Sequence, residues 1–191
     1  LVRPTAGSIG VFGTDMLNSP DAEHKAVEQR WGLLFQDGAL FSALTVAEAL
    51  DLFDAQVGSR HLDLAARALR SKGIGYYTIG SSGHEGNAAL AAALRPSDPA
   101  LLHYRSGAFF LHRAHQSAAG TDPLRDVLLG VVAAIEEPMS GGRHKVFGRY
   151  DLHVIPQTST IASHLPRALG LAFTLARAHK LTEACPWPDE A

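Results

Sequence analysis

The sequence predicts an α/β chain, helix-rich on its N-terminal side, and three observations predict it. Apolar residues recur at helical spacing behind residues that cap helices, most clearly after Thr45-Val46-Ala47-Glu48. Gly75-Tyr76-Tyr77-Thr78-Ile79-Gly80 sets aromatic and β-branched residues between glycines, then runs through a Gly/Ser turn into an Ala-rich stretch. That order reads as strand, turn, helix. Ala100 to Arg105, behind the turn Arg95-Pro96-Ser97-Asp98-Pro99, reads as a second short strand with a polar end.

Composition narrows the function. A chain of 191 residues is long enough for one domain with a real core. With 17 Lys and Arg against 19 Asp and Glu the formal charge is −2, and no basic stripe is visible, which argues against a nucleic-acid partner. No apolar run is long enough to span a bilayer. Leu1-Val2-Arg3-Pro4-Thr5 lacks the charged-then-apolar layout of a signal peptide. Cys185 stands alone, which excludes an internal disulfide and a CxxC metal site, so a reducing cytoplasm is the expected compartment. The absence of an initial Met and the close at Pro186-Trp187-Pro188-Asp189-Glu190-Ala191 predict a piece of a longer polypeptide.

Taken in order, Asp21 to Phe35 is expected to be a helix capped by Asp21, with Ala26, Val27, Trp31 and Leu34 at helical spacing and Gly38 ending it. From Thr45 the apolar set Leu50, Phe53 and Val57 shares a face, and Leu62, Ala65, Ala66 and Leu69 resume it after Gly58-Ser59. This predicts one long helix with a break, or two helices, stopped by Gly73. Arg60, Asp63, Arg67 and Arg70 are its expected solvated or partner-facing side. Ser82 and Glu85 form a second potential capping box, and the turn ahead of the Ala-rich helix is expected to offer N–H groups to an anion. No Walker Gly-Lys-Ser/Thr and no GxGxxG is present. Ser106 to Ala119 should be helical with Phe109 and Phe110 buried. His112 and His115 lie three apart, but no acidic residue follows at metalloprotease spacing, so no metal ligands are assigned. Asp122-Pro123 caps a helix whose apolar face runs through Leu124, Val127, Leu128, Val131 and Ile135. Ser140 to Gly148 is a polar, glycine-containing loop.

The stretch from Gln157 to Ala172 opens with hydroxyls and becomes a helix of small and apolar residues. Ser159 or Thr160 is the expected cap. Pro166 either kinks this helix or marks its true start. Read for itself, it is a buried helix with a polar beginning.

Thr158-Ser159-Thr160-Ile161-Ala162-Ser163-His164-Leu165-Pro166 followed by Ala168-Leu169-Gly170 resembles the Ser-Ser-x-Leu-Ala-x-x-x-Pro-x-Ala-x-Gly segment of one family, the thiamine-diphosphate-dependent decarboxylating components of the 2-oxo acid dehydrogenase complexes, in their α subunit or α half. Gly83-His84-Glu85-Gly86 resembles the family's aromatic–Gly–x–Glu segment, and Tyr104-Arg105 its Tyr-Arg pair. The likeness covers roughly residues 60–180. It implies a three-layer α/β/α thiamine-diphosphate-binding fold, with residues 1–40 an N-terminal extension and 41–191 the N-terminal part of the cofactor domain. It implies that Tyr104 and Arg105 hold the diphosphate and that Ser159 and Ile161 line the aminopyrimidine, Ile161 as a wedge between the rings. His84, and His144 in a loop that resembles the family's Gly-Arg loop at shorter spacing, become the candidate catalytic residues. By their residue types alone, Arg105 is a surface ion-pairing group, Tyr104 a packing residue, Glu85 a cap, and Arg143-His144-Lys145 a solvated basic loop.

The implied reaction is oxidative decarboxylation of a 2-oxo acid, pyruvate or a branched-chain one, with acyl transfer to a lipoyl group. The implied partners are the β subunit or β half, which supplies the Glu that activates the pyrimidine, and the lipoyl acyltransferase, within an oligomer. The family's Gly-Asp-Gly…Asn motif, which holds Mg²⁺, does not occur in these 191 residues. The chain alone is therefore expected to bind thiamine diphosphate weakly or not at all. Two other readings fit the same residues: a transketolase-like or acetoin-cleaving thiamine enzyme, and a non-catalytic helical module without the metal site.

Overall fold

A computed structural model describes residues 7–28, 44–117 and 120–178. Trp31, Leu34, Phe35, Gly38, Ala119 and Cys185 lie outside the described residues. The chain is mixed α and β and falls into two units, Leu1–Leu44 and Thr45–Ala191.

In the first unit, β1 (Gly10–Val11) pairs antiparallel with β2 (Thr14–Asp15). The two residues between them, Phe12 and Gly13, have φ of 49° and 85°, the left-handed pair that matches the twist of a tight hairpin. Asp15 accepts from the Leu17 N–H and the Asn18 amide, which hold its carboxyl below the ordinary range. Helix α1 spans Asp21–Glu28, beginning where the sequence predicts.

The second unit is built on α2 (Val46–Ser71). Its capping box is present: the Thr45 hydroxyl accepts from the Glu48 N–H, and the Glu48 carboxylate accepts from the Thr45 N–H. The expected break at Gly58-Ser59 does not occur. A Cβ on Gly58 would come within 2.9 Å of Leu111 Cδ1, so the glycine answers to a close neighbour rather than to a bend. That neighbour is α4 (Gly107–Gln116), with Phe109 and Phe110 buried as predicted and eight of its ten residues buried. Leu52, Ala55, Leu62 and Ala66 form the buried face of α2. The helix ends at Ser71, two residues before Gly73 at φ 75°.

Asp63 corrects a further expectation. It is fully buried, not solvated. Its carboxylate accepts from the Gly80 N–H at 2.7 Å and from Arg67 at 3.0 Å, with Arg60 at 3.9 Å. Burial pushes this carboxyl up, but the Gly80 N–H, Arg67 and the Ser81 N–H outweigh it and hold it below the ordinary range.

Residues 75–80 form no strand. Three of their carbonyls go to arginines instead: Tyr76 accepts from Arg70, and Ile79 and Gly80 from Arg105. Helix α3 is Asn87–Ala93, and no side chain caps it. Glu85 accepts from the Ser81 hydroxyl and the Gly83 N–H, while Ser82 bonds to Arg60, so the box predicted between Ser82 and Glu85 does not form. The N–H groups of Gly83, His84, Asn87, Ala88 and Ala89 all find acceptors within the turn, which leaves it poorly suited to an anion.

Helix α5 (Pro123–Val131) is capped by Asp122, which accepts from the Arg125 N–H at 3.1 Å. It stops before Ile135, with Ala133 at φ 53°, so Ile135 is exposed rather than part of an apolar face. β3 (Phe147–Arg149) and β4 (Val154–Gln157) pair antiparallel, Phe147 opposite Gln157 and Arg149 opposite Val154. A 3₁₀ turn, Tyr150–Leu152, joins them. Ala100 adds a parallel bridge to Val154, which is as much of the predicted second strand as forms. Arg149 pairs with Asp126 at 2.6 Å and ties the hairpin to α5. The buried Arg113 donates to the carbonyls of Pro96, Asp98 and Leu152, pinning the 95–99 turn over α4.

Helix α6 spans His164–Ala178. Neither Ser159 nor Thr160 caps it, because the chain turns first at Ala162, φ 60°. Pro166 consequently lies in the first turn, where its missing N–H costs nothing. No residue of α6 is buried, contrary to its reading as a buried helix. No described helix is long and apolar enough to cross a membrane.

A candidate anion-binding site

The residues singled out in the sequence separate into a cluster and its outliers. His103, Tyr104 and Arg105 follow the Ala100 bridge, on the polar side of the short β segment. Burial lowers the His103 imidazole below its ordinary range, and Arg105, His84, His164 and Lys145 lower it further. The Arg105 N–H also donates to His103 Nδ1 at 3.4 Å, and the Tyr104 ring centre lies 4.0 Å from the imidazole. These groups come from four segments: the turn before α3, the 103–105 segment, the 140–146 loop and the start of α6.

The aromatic floor is Tyr77 and Tyr104, edge to face with centroids 5.2 Å apart. Lys145 Nζ lies 5.7 Å from both ring centres, a cation shared between two π faces. Lys145 itself has φ 59°, in the left-handed region that disfavours a side chain. Glu137 positions its loop by accepting from the N–H groups of Met139 and Ser140, and Arg143 closes the loop by donating to the Ser140 carbonyl at 2.8 Å. Tyr77 is buried, and that burial, with Tyr104 and Glu137 nearby, pushes its phenol up to about 12, so it remains a proton donor across the neutral range.

Arg105 is half-buried. Its Nη1 donates to the carbonyls of Ile79 at 2.6 Å and Gly80 at 3.2 Å, and its guanidinium lies 5.0 Å from the Tyr104 ring centre. Gly80 has φ 65°, and a Cβ there would overlap the guanidinium. Asp63 fixes the same peptide from the other side through the Gly80 N–H. The cation is thus placed by carbonyl dipoles and keeps its formal charge unpaired with a carboxylate in the contacts it makes.

His84 belongs to the cluster and is exposed. His144 is turned elsewhere, stacked on Tyr76 with centroids 5.4 Å apart and rings 7° from parallel. Ser159 is half-buried, and Ile161 projects into solvent, 92% exposed. The start of α6 is held by Arg167, which donates to the Pro156 carbonyl at 2.6 Å and the Gln157 side chain at 2.5 Å. Sequence reasoning missed His103 and Tyr77. The only signal for His103 was its place beside Tyr104-Arg105, and for Tyr77 its place in an aromatic segment read as strand. Among the described residues no group of three His, Cys, Asp or Glu could hold a metal ion.

No family model matches the chain, and no solved structure does. One relative is the methionine import ATP-binding protein MetN of Bifidobacterium longum (strain NCC 2705), 40% identical over 48 residues. That match covers 25% of this chain and 12% of MetN, so the chain spans about an eighth of the relative's length.

Proposed function

We propose that the chain is part of a thiamine-diphosphate-dependent decarboxylating component of a 2-oxo acid dehydrogenase complex, the α subunit or α half, acting with a β subunit or β half and a lipoyl acyltransferase. In this reading its helices and short strands are the N-terminal part of the three-layer α/β/α cofactor domain. The observation that supports it is the pair of cations on the Tyr104 ring: Arg105, held by the Ile79 and Gly80 carbonyls with its guanidinium 5.0 Å from the ring centre, and Lys145 Nζ at 5.7 Å from it. The donor set suits a diphosphate: a guanidinium and an ammonium for charge-assisted contacts, with imidazole and phenol groups beside them.

When bound, thiamine diphosphate supplies the thiazolium that accepts the electrons released with CO₂. Arg105 and Lys145 hold the anionic end, with Tyr104 orienting the guanidinium. His84 and His103 are placed to hold or pass a proton at the rim of the cluster. The described residues do not supply ligands for Mg²⁺, which the reading assigns to a Gly-Asp-Gly…Asn motif outside them.

Calorimetric titration of the chain with thiamine diphosphate tests the reading, with thiamine and ATP as controls. ATP is included because MetN is named as an ATP-binding protein. Binding of thiamine diphosphate should be weak without the metal motif but should exceed that of thiamine without phosphates, and Arg105→Ala should weaken it about tenfold through loss of a charge-assisted contact. Binding indifferent to Arg105→Ala, or a preference for ATP, overturns it. Assay of the chain with its β partner, pyruvate or branched 2-oxo acids and an artificial electron acceptor then tests the reaction itself.

A further inference from the structure

Helix α2 carries two apolar seams, and the described residues of its unit cover one of them. Leu52, Ala55, Ser59, Leu62 and Ala66, spaced three and four apart, are buried. On the opposite face Val46, Leu50, Phe53, Val57 and Leu64 keep the spacing of a heptad seam, with Arg60 at the intervening position. Val46 is 78% exposed, Leu50 59%, Phe53 60% and Leu64 54%. Large apolar side chains standing singly on a surface need no explanation, but four exposed in register along one helix, with the half-buried Val57 between them, do.

The charges on α2 say what fits there. From Val46 to Ser59 the charged residues are Glu48, Asp51 and Asp54, with no Lys or Arg. From Arg60 to Ser71 they are Arg60, Arg67 and Arg70, together with Asp63, whose carboxylate is buried and bonded to Arg67. The helix is therefore acidic in its first half and basic in its second. Laid parallel, two copies oppose like charges. Laid antiparallel, the acidic half of each meets the basic half of the other.

We infer that α2 is a self-association surface, pairing antiparallel with α2 of a second copy of this chain about a two-fold axis. Such an interface is self-complementary and closes at two chains. In the register that buries most apolar surface, Phe53 packs against Val57 of the second copy, and Val46 packs against its Leu64. Leu50 then packs on the aliphatic stem of the second copy's Arg60, whose guanidinium stays on Ser82 and Glu85 of its own chain. The inference is independent of the cofactor reading, since it uses no residue of the cationic cluster.

Sedimentation equilibrium of the full chain tests it. The wild type should run at the mass of two chains, weakening as salt rises. Leu50→Glu with Phe53→Glu should run at the mass of one chain with an unchanged helical circular dichroism signal, the substituted positions being exposed. Asp54→Arg, which opposes like charge to the basic half of the second copy, should raise the dissociation constant about tenfold. Phe53→Cys with Val57→Cys, in a Cys185→Ser background, should give an interchain disulfide on mild oxidation. A wild type that stays at one-chain mass overturns the inference. So does a two-chain mass that survives the double Glu variant, or a failure of the paired cysteines to cross-link.

Discussion

Two helices of similar apolar character meet opposite fates in this chain. In α4, eight of ten residues are buried, from Gly107 to Ala114, and even Arg113 lies fully out of solvent. In α6, fifteen residues long, none is buried, although Leu165, Leu169 and Phe173 recur every fourth position. The difference lies in their surroundings. α4 lies against α2 and α3, whereas α6 is held mainly at its start, by Arg167 and Gln157. A helical pattern of apolar residues specifies a face, but neighbours decide whether the face is used.

The comparison can be broken at several points. Phe110→Ala should have the largest effect. Phe110 is 2% exposed and tilts against Phe147 at 5.1 Å, so truncation should cost about 3–5 kcal/mol in urea denaturation. Asp63→Asn comes next, on the same packed side. It leaves Arg67 without its counter-charge, at about 2 kcal/mol once the 55% exposure of the Arg67 side chain is allowed for. Because the folded carboxyl titrates below its ordinary range, its contribution is present above the unfolded value and is lost as pH falls through the folded one. Wild-type stability should therefore drop on acidification in a step that Asp63→Asn lacks.

On the open side the effects are smaller. Lys145→Gly should raise stability by about 0.5–1 kcal/mol, since glycine adopts φ 59° without strain. It should also weaken binding of inorganic pyrophosphate, so the two measurements move in opposite directions. The lowered His103 folds with fewer bound protons than the unfolded chain carries, which makes its contribution to stability unfavourable as pH falls below about 6.5. Pyrophosphate should move the His103 titration upward in NMR spectra, and an unmoved titration would separate this histidine from the anion site. Leu169→Ala should change stability by less than about 0.5 kcal/mol, and a cost near that of Phe110→Ala would mean that α6 is covered after all.

Local features proved legible. The Thr45–Glu48 capping box, the Asp122 cap and the proline in the first turn of α6 are settled within a few residues of backbone, and sequence reports them directly. The features missed depend on contacts distant along the chain. Gly58-Ser59 looks like a break until α4 lies against it. Residues 75–80 look like a strand until arginines take their carbonyls. Asp63 looks solvated until Gly80 and Arg67 surround it. In the candidate site, Tyr104 and Arg105 were marked by family resemblance, while His103 and Tyr77 became visible only through what lies beside them.

Sequence alone determined the mixed α and β class and the starts of α1, α2 and α5, because capping chemistry acts over three or four residues. Tertiary structure decided which apolar faces are covered and where buried charge is tolerated. It also decided that imidazoles, a guanidinium and an ammonium from four segments share one electrostatic neighbourhood. Burial and Coulomb interaction depend on distance in space, and no spacing along the chain encodes that distance.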